Sequence, residues 1–246
     1  MRKLLFGAIA ALVATLGVVG VASAVDATQG IAIKLTHNKA GTKEKPKSIG
    51  SLKVTTTTTP GAGSPAGTFT ATKAVISFDK NLVFNASKFK ACTVNLNDAA
   101  GIATIDSKCA GSKVGSGTAK GEALGQVEAL TVKAYNGPKV GANNKFYLHV
   151  TGTAPLVIDD VINATLKRAT GDYGYKLDVP IPDGLQRPSG VLATLTEFIT
   201  SVNGTSKGVP YIGLKGCSGG KLKFKGVFTY TDATSKTATT TVPCKK

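Results

Sequence analysis

No tryptophan occurs in this chain of 246 residues, arginine beyond residue 2 is confined to Arg168 and Arg187, and the histidines are His37 and His149. Single strands are gripped by aromatic platforms and duplex bases are read by arginine forks, so these shortages exclude a specific nucleic-acid reader. The four cysteines contain no Cys-x-x-Cys pair and the histidines stand alone, so no metal and no cofactor is expected. Helix signals are nearly absent. No Leu-Pro-x-Thr-Gly sorting sequence lies near the C-terminus. No cysteine near the end of the N-terminal apolar run can carry a lipid, and no second apolar run of that length follows.

That first run is the most informative stretch present. Arg2 and Lys3 precede apolar residues 4–21 and the triplet Ala22-Ser23-Ala24, the charged start, apolar middle and small-residue end of a secretory signal peptide. Residues 1–24 are expected to be removed, leaving residues 25–246 as a single domain without a transmembrane segment. An uncut anchor is the alternative, because the run is about as long as a bilayer-spanning helix. The expected location is secreted, either extracellular or on the cell-envelope surface.

Cleavage leaves 28 basic against 14 acidic side chains, a net charge of +14 over 222 residues. A surface of that sign attracts polyanions, and outside a cell an anionic cell-wall polymer is the expected partner. The candidate contacts are Lys43, Lys45 and Lys47 in His37-Asn-Lys-Ala-Gly-Thr-Lys-Glu-Lys-Pro-Lys47, with the alternating Lys221, Lys223 and Lys225. The competing reading is a solvated surface that keeps copies apart.

Short runs of Val, Ile, Thr, Phe and Tyr recur between Gly, Pro, Asn and Asp clusters, a strand pattern. Twelve candidate strands cover residues 31–36, 52–58, 68–78, 113–119, 126–135, 145–152, 157–169, 173–179, 191–202, 210–214, 221–231 and 234–242. They predict an all-β chain, an antiparallel β-sandwich of about 10–12 strands, with one partial helical turn over residues 87–90. Leu222, Phe224, Phe228 and Tyr230 share one face of the penultimate strand, and Lys221, Lys223, Lys225 and Thr229 the other. Asp232-Ala233 turns the chain into a return strand with Ala238, Thr240 and Val242 on a common side. Tyr135-Asn-Gly-Pro138 and residues 140–144 read as the connection between two strands, and the tract from Thr55 to Pro65 as a strand end and a long hairpin loop.

An exported chain with four cysteines is expected to pair them, and four allow three connectivities. Cys92 with Cys109 and Cys217 with Cys244 is the favoured set. The terminal hairpin brings Lys221 roughly opposite Cys244, the Gly219-Gly220 run can curl Cys217 back, and Cys92 and Cys109 bracket a polar excursion.

No catalytic residue emerges. Gly216-Cys-Ser-Gly-Gly220 fits the nucleophile-elbow formula, but a strand follows it where a helix is required, and both histidines precede Ser218. His149 is expected to face water or a neighbouring strand. Asp159-Asp160 and Asn97-Asp98 are the adjacent oxygen pairs, and neither has the spacing of a calcium loop. The expected function is that of a noncatalytic secreted or envelope-associated structural or binding protein. The alternative is a secreted hydrolase that assembles dispersed carboxylates such as Asp172, Asp178, Asp183 and Glu197.

The succession Ile76-Ser-Phe-Asp-Lys-Asn-Leu-Val-Phe-Asn85, Phe89 and Cys92, then Cys109 with Gly111-Ser-Lys-Val-Gly-Ser-Gly-Thr118, Tyr135-Asn-Gly-Pro138 and Thr241-Val-Pro-Cys244, resembles a group of uncharacterised secreted β-rich proteins of actinobacteria. The resemblance spans most of the mature chain. It implies a β-rich exported fold and carries no activity or site residue with it.

Overall fold

A computed structural model describes residues 27–62, 64 and 67–246. The expected signal peptide and its expected cleavage point lie outside the described residues, as do Gly63 and Pro65 of the proline-glycine loop. Among the described residues the strands are β1 (Thr28–Leu35), β2 (Lys47–Ser48), β3 (Ser51–Thr59), β4 (Ala71–Asp79), β5 (Leu82–Phe84), β6 (Lys113–Ala123), β7 (Gln126–Val140) and β8 (Asn143–Gly152). They continue with β9 (Ile158–Arg168), β10 (Tyr173–Pro180), β11 (Thr194–Asn203), β12 (Thr205–Ser206), β13 (Val209–Pro210), β14 (Ile212–Leu214), β15 (Lys221–Tyr230) and β16 (Ser235–Pro243). Three short helices join them: α1 (Ala99–Ala103), α2 (Ile105–Lys108) and α3 (Asp183–Gln186).

The chain is all-β and antiparallel. Eleven strands form one sheet in the order β1-β3-β11-β6-β7-β8-β9-β10-β4-β15-β16. The sheet curls until its end strands, β1 and β16, lie side by side, so the two facing layers expected of a sandwich belong to one nearly closed barrel. Gln29 of β1 ties the seam: its Oε1 accepts from Tyr230 at 2.7 Å and from Thr58 at 2.9 Å.

Register fixes which residues meet at each end. One end gathers the starts of β4, β7 and β9 with the ends of β6, β8 and β10; the other gathers the opposite termini. At the second end a small sheet, β2-β14-β5, folds in as a plug. It buries Ile49, Leu82, Tyr211, Ile212 and Leu214. Its rings meet edge to face, Phe84 against Phe78 at 5.1 Å and Phe89 against Tyr211 at 4.9 Å.

The terminal hairpin follows its alternation. Leu222, Phe224, Phe228 and Tyr230 are buried while Lys221 and Lys223 are exposed, because a slip of one residue would bury the lysines. Cys217 bonds to Cys244 and Cys92 to Cys109. Lys221 pairs with Pro243, one residue short of the expected partner, and the Cys244 N–H instead donates to the Gly220 carbonyl at 2.9 Å.

Several expectations are corrected. Tyr135-Asn-Gly-Pro138 is no turn: β7 runs through it to Val140, with a register shift between Asn136 and Lys139 that accommodates the proline. Asn136 is a buried hub, donating to the carbonyls of Ala86 and Lys90 at 3.1 Å each and accepting from Tyr211 at 3.0 Å. The loop after Thr59 is no hairpin, since β3 and β4 are not neighbours in the sheet. Strands expected from residues 68 and 191 begin at Ala71 and Thr194, because a turn covers residues 67–69 and an irregular stretch over residues 191–193 follows the helical turn at 188–190. The polar excursion between Cys92 and Cys109 contains α1 and α2.

Candidate functional site

Inward-facing residues of a strand alternate with outward ones, and a barrel of about eight strands is only just filled by its side chains. Eleven strands leave more room than that, and the plug fills only one end. The space is enlarged by small inward residues where the sheet elsewhere carries Val, Leu or Phe: Ala119, Gly121 and Ala123 on β6, and Ala71 and Ala74 on β4. Two cavities result. The deeper, about 110 Å³, has Phe84, Tyr211 and Ile212 from the plugged end in its wall, with Phe146, Leu166 and Val202 around it. The second, about 50 Å³, lies at the opposite end beside α3, and both are partly open to solvent. Ala71, Ile162, Ile181, Leu195 and Phe198 border both, so the two adjoin as lobes of one apolar interior, and the mouth of the smaller lobe lies beside α3.

Polar groups in this interior are few. Among the described residues, the buried side-chain oxygens with no hydrogen-bond partner are Ser112 Oγ, Glu128 Oε1 and Thr200 Oγ1. Glu128 borders the mouth lobe and Thr200 the deep lobe. Glu128 is only 4% exposed, and its Oε2 accepts the Leu156 N–H at 3.0 Å. Gly152 on β8 makes space for the carboxylate: a Cβ there would stand 2.6 Å from Glu128 Oε1. Asp160 shares the inward side of β9 with Ile158 and Ile162. Burial pushes its pKa up, against the Val161 N–H bonded to it at 2.7 Å. Glu122 also borders the mouth, and Asp183 opens α3 above it.

A second cluster sits on the outer face. His149, buried rather than facing water, places Nδ1 2.6 Å from Asp106 of α2 and Nε2 2.6 Å from Asp159 of β9. Asp106 also pairs with Lys133 and accepts from Tyr135 at 2.6 Å. Burial raises the Asp106 pKa, but hydrogen bonds from Lys133, Tyr135 and His149 outweigh it and hold the group at about 2. Burial and that bond to Asp106 push the Tyr135 phenol up. Both ring nitrogens of His149 are occupied by carboxylates, so neither is free to approach a substrate. The cluster is therefore a clamp. It holds the disulfide-bonded excursion against the sheet over buried Ile105, Tyr135, Tyr147 and Val161.

The remaining candidates are dispersed. Ser218 lies by Asn81, 3.4 Å away, and His149 is spent on its carboxylates. Asp172 pairs with Lys223 at 2.8 Å, Asp178 with Lys73 and Lys167 at 2.9 Å each, and Glu197 with Lys120 at 3.3 Å, on separate strands and loops. Asp98 caps α1, accepting from the Gly101 N–H at 2.5 Å, and is no ion ligand there. Among the described residues no cluster of three metal-binding side chains occurs.

Lys43 and Lys45 are exposed on a loop tied to the chain end, and Lys47 is exposed at the start of β2. The Ala40 N–H donates to the Lys245 carbonyl at 2.7 Å, the Lys245 N–H to Asn38 at 2.9 Å, and the Gly41 N–H to Leu214 at 2.9 Å. These bonds gather Lys39, Lys215, Lys245 and Lys246 with the loop lysines at the plugged end. Lys221 is exposed, Lys223 is engaged by Asp172, and the Lys225 ammonium lies 5.4 Å from the centre of the Tyr173 ring.

Sequence reasoning missed Glu128. Its signal was available: Glu128, Leu130, Val132 and Ala134 share one face of β7, and a lone carboxylate interrupts an otherwise apolar inward row. No protein-family model, curated protein or solved structure matches this chain.

Proposed function

We propose that this is a noncatalytic binding protein of the cell exterior that carries an apolar ligand inside its barrel. The observation that carries the reading is the two-lobed apolar interior, floored by the plug and partly open beside α3. Dry apolar cavities of about 150 Å³ take up small hydrophobic molecules, and the two lobes together are of that size. Two disulfides suit an oxidising compartment. Among the described residues no helix is long and apolar enough to cross a membrane.

Titration with the neutral dye N-phenylnaphthylamine tests the reading. Saturable fluorescence enhancement is expected, and Gly121→Leu should weaken it at least about tenfold. A Cβ at Gly121 meets nothing nearer than the Thr194 carbonyl oxygen at 3.9 Å, so the new side chain fills the mouth lobe without displacing backbone. Absence of saturable binding, or unchanged binding by a folded Gly121→Leu variant, overturns the proposal.

A second role is favoured by the lysines gathered at the plugged end. They give the molecule a basic pole remote from the mouth, suited to retention on an anionic wall polymer while the interior stays accessible.

A further inference from the structure

The apolar interior says that a ligand is greasy; the mouth says more about its polar end. Glu128 has one oxygen bound to the Leu156 N–H and the other, Oε1, buried against the mouth lobe without a hydrogen-bond partner. A buried acceptor left unpaired costs free energy, and a ligand that supplies a donor recovers it. Gly152 leaves room beside this oxygen, since a Cβ there would stand 2.6 Å from it.

Resting on the reading of the barrel as an apolar-ligand site, we propose that Glu128 selects amphiphiles with a hydrogen-bond-donating head, an amine or a hydroxyl, over those with an anionic head. The apolar body lies along the path through Ala71, Ile162 and Phe198 into the deep lobe. The head remains at the mouth, within reach of Glu128 Oε1. A carboxylate or phosphate head would meet the Glu128 carboxylate, and no cation stands among the residues that border this lobe.

The outer rim fits delivery of such a molecule. The most exposed large apolar side chains at this end are Val157 (85%) and Leu124 (74%), on the two turns that flank the mouth, and Val127 (64%) at the start of β7. Large apolar groups are otherwise kept inside, and an amphiphile approaching tail first meets these before the interior.

Displacement of the bound dye by octylamine, 1-octanol and octanoate tests the proposal. On the wild-type protein the amine and the alcohol should displace it at least about tenfold more effectively than the carboxylate. In Glu128→Ala the three should converge to within about twofold, each competition being referred to the dye affinity measured for that variant. Octanoate binding as well as the other two, or an unchanged ranking in Glu128→Ala, overturns the head-group assignment and leaves the apolar site standing. Dye that never binds overturns the apolar site and this assignment with it. The wild-type ranking requires no variant, so it decides the matter even where Glu128→Ala fails to fold.

Discussion

At Asp106, burial alone would favour the protonated carboxyl, yet donors from Lys133, Tyr135 and His149 hold its pKa at about 2 against an ordinary 3.8. A group whose folded pKa is lowered stabilises the fold above its unfolded value and loses that contribution as pH falls through the folded one. The window here runs from about pH 4 down to about pH 2. With the side chain about a third exposed, screening leaves a contribution on the order of 1 kcal/mol. Asp106→Asn should therefore lower unfolding stability at neutral pH, and the gap to wild type should close as pH falls to 2. Denaturant melts across that range check this; a gap that stays constant overturns the assignment. The clamp itself was not legible in the sequence. His149 and Asp159 are near in the chain, but Asp106 reaches them only because α2 docks on the sheet. Glu128 was legible in principle, as the odd member of an inward row on β7.

Among the elements, β15 was the most legible, because its lysines and aromatics alternate without exception and only one facing keeps the charges in water. Helices α1 and α2 were not. Five and four residues are too few for a helical period to show, and these turns exist because Asp98 caps one of them and the Cys92–Cys109 bond returns the chain to the sheet. Strand β7 was cut short at Tyr135 because Asn-Gly-Pro reads as a turn, whereas the buried partners of Asn136 hold it extended. The two bridges should differ in reach. Cys217–Cys244 closes a separation of 27 residues and belongs to the main core, so replacing both with serine should lower global stability by about 3 kcal/mol in a denaturant melt. Cys92–Cys109 closes 17 residues within the outer cluster. Its replacement by serine should chiefly speed hydrogen exchange over residues 93–112 and leave exchange in β3 and β11 unchanged. Equal acceleration across the barrel would show that the excursion supports the fold as a whole.

At the scale of the whole molecule, the net charge concealed a polarity. Glu122, Glu128, Asp160 and Asp183 stand at the mouth, while Lys39, Lys43, Lys45, Lys47, Lys215, Lys245 and Lys246 gather at the plugged end, brought together by pairing between the 36–48 loop and the chain terminus. Composition revealed the excess of lysine but not its placement, which depends on contacts some 200 residues apart such as Lys39 with Lys245. A molecule charged in this way should settle on a polyanion with its basic pole down and its mouth away from the surface. Retention on purified anionic wall polymer should be strong at low ionic strength and lost as salt shortens the Debye length to about 10 Å near 0.1 M. Replacing Lys43, Lys45 and Lys47 together with alanine should reduce retention more than replacing Lys221, Lys223 and Lys225, because Asp172 and Tyr173 already engage two of the latter. Retention that ignores salt, or that falls equally in both triple variants, would place the contact elsewhere on the surface. Dye affinity should be the same on and off the polymer, since the pole that binds it lies at the far end of the barrel from the entrance.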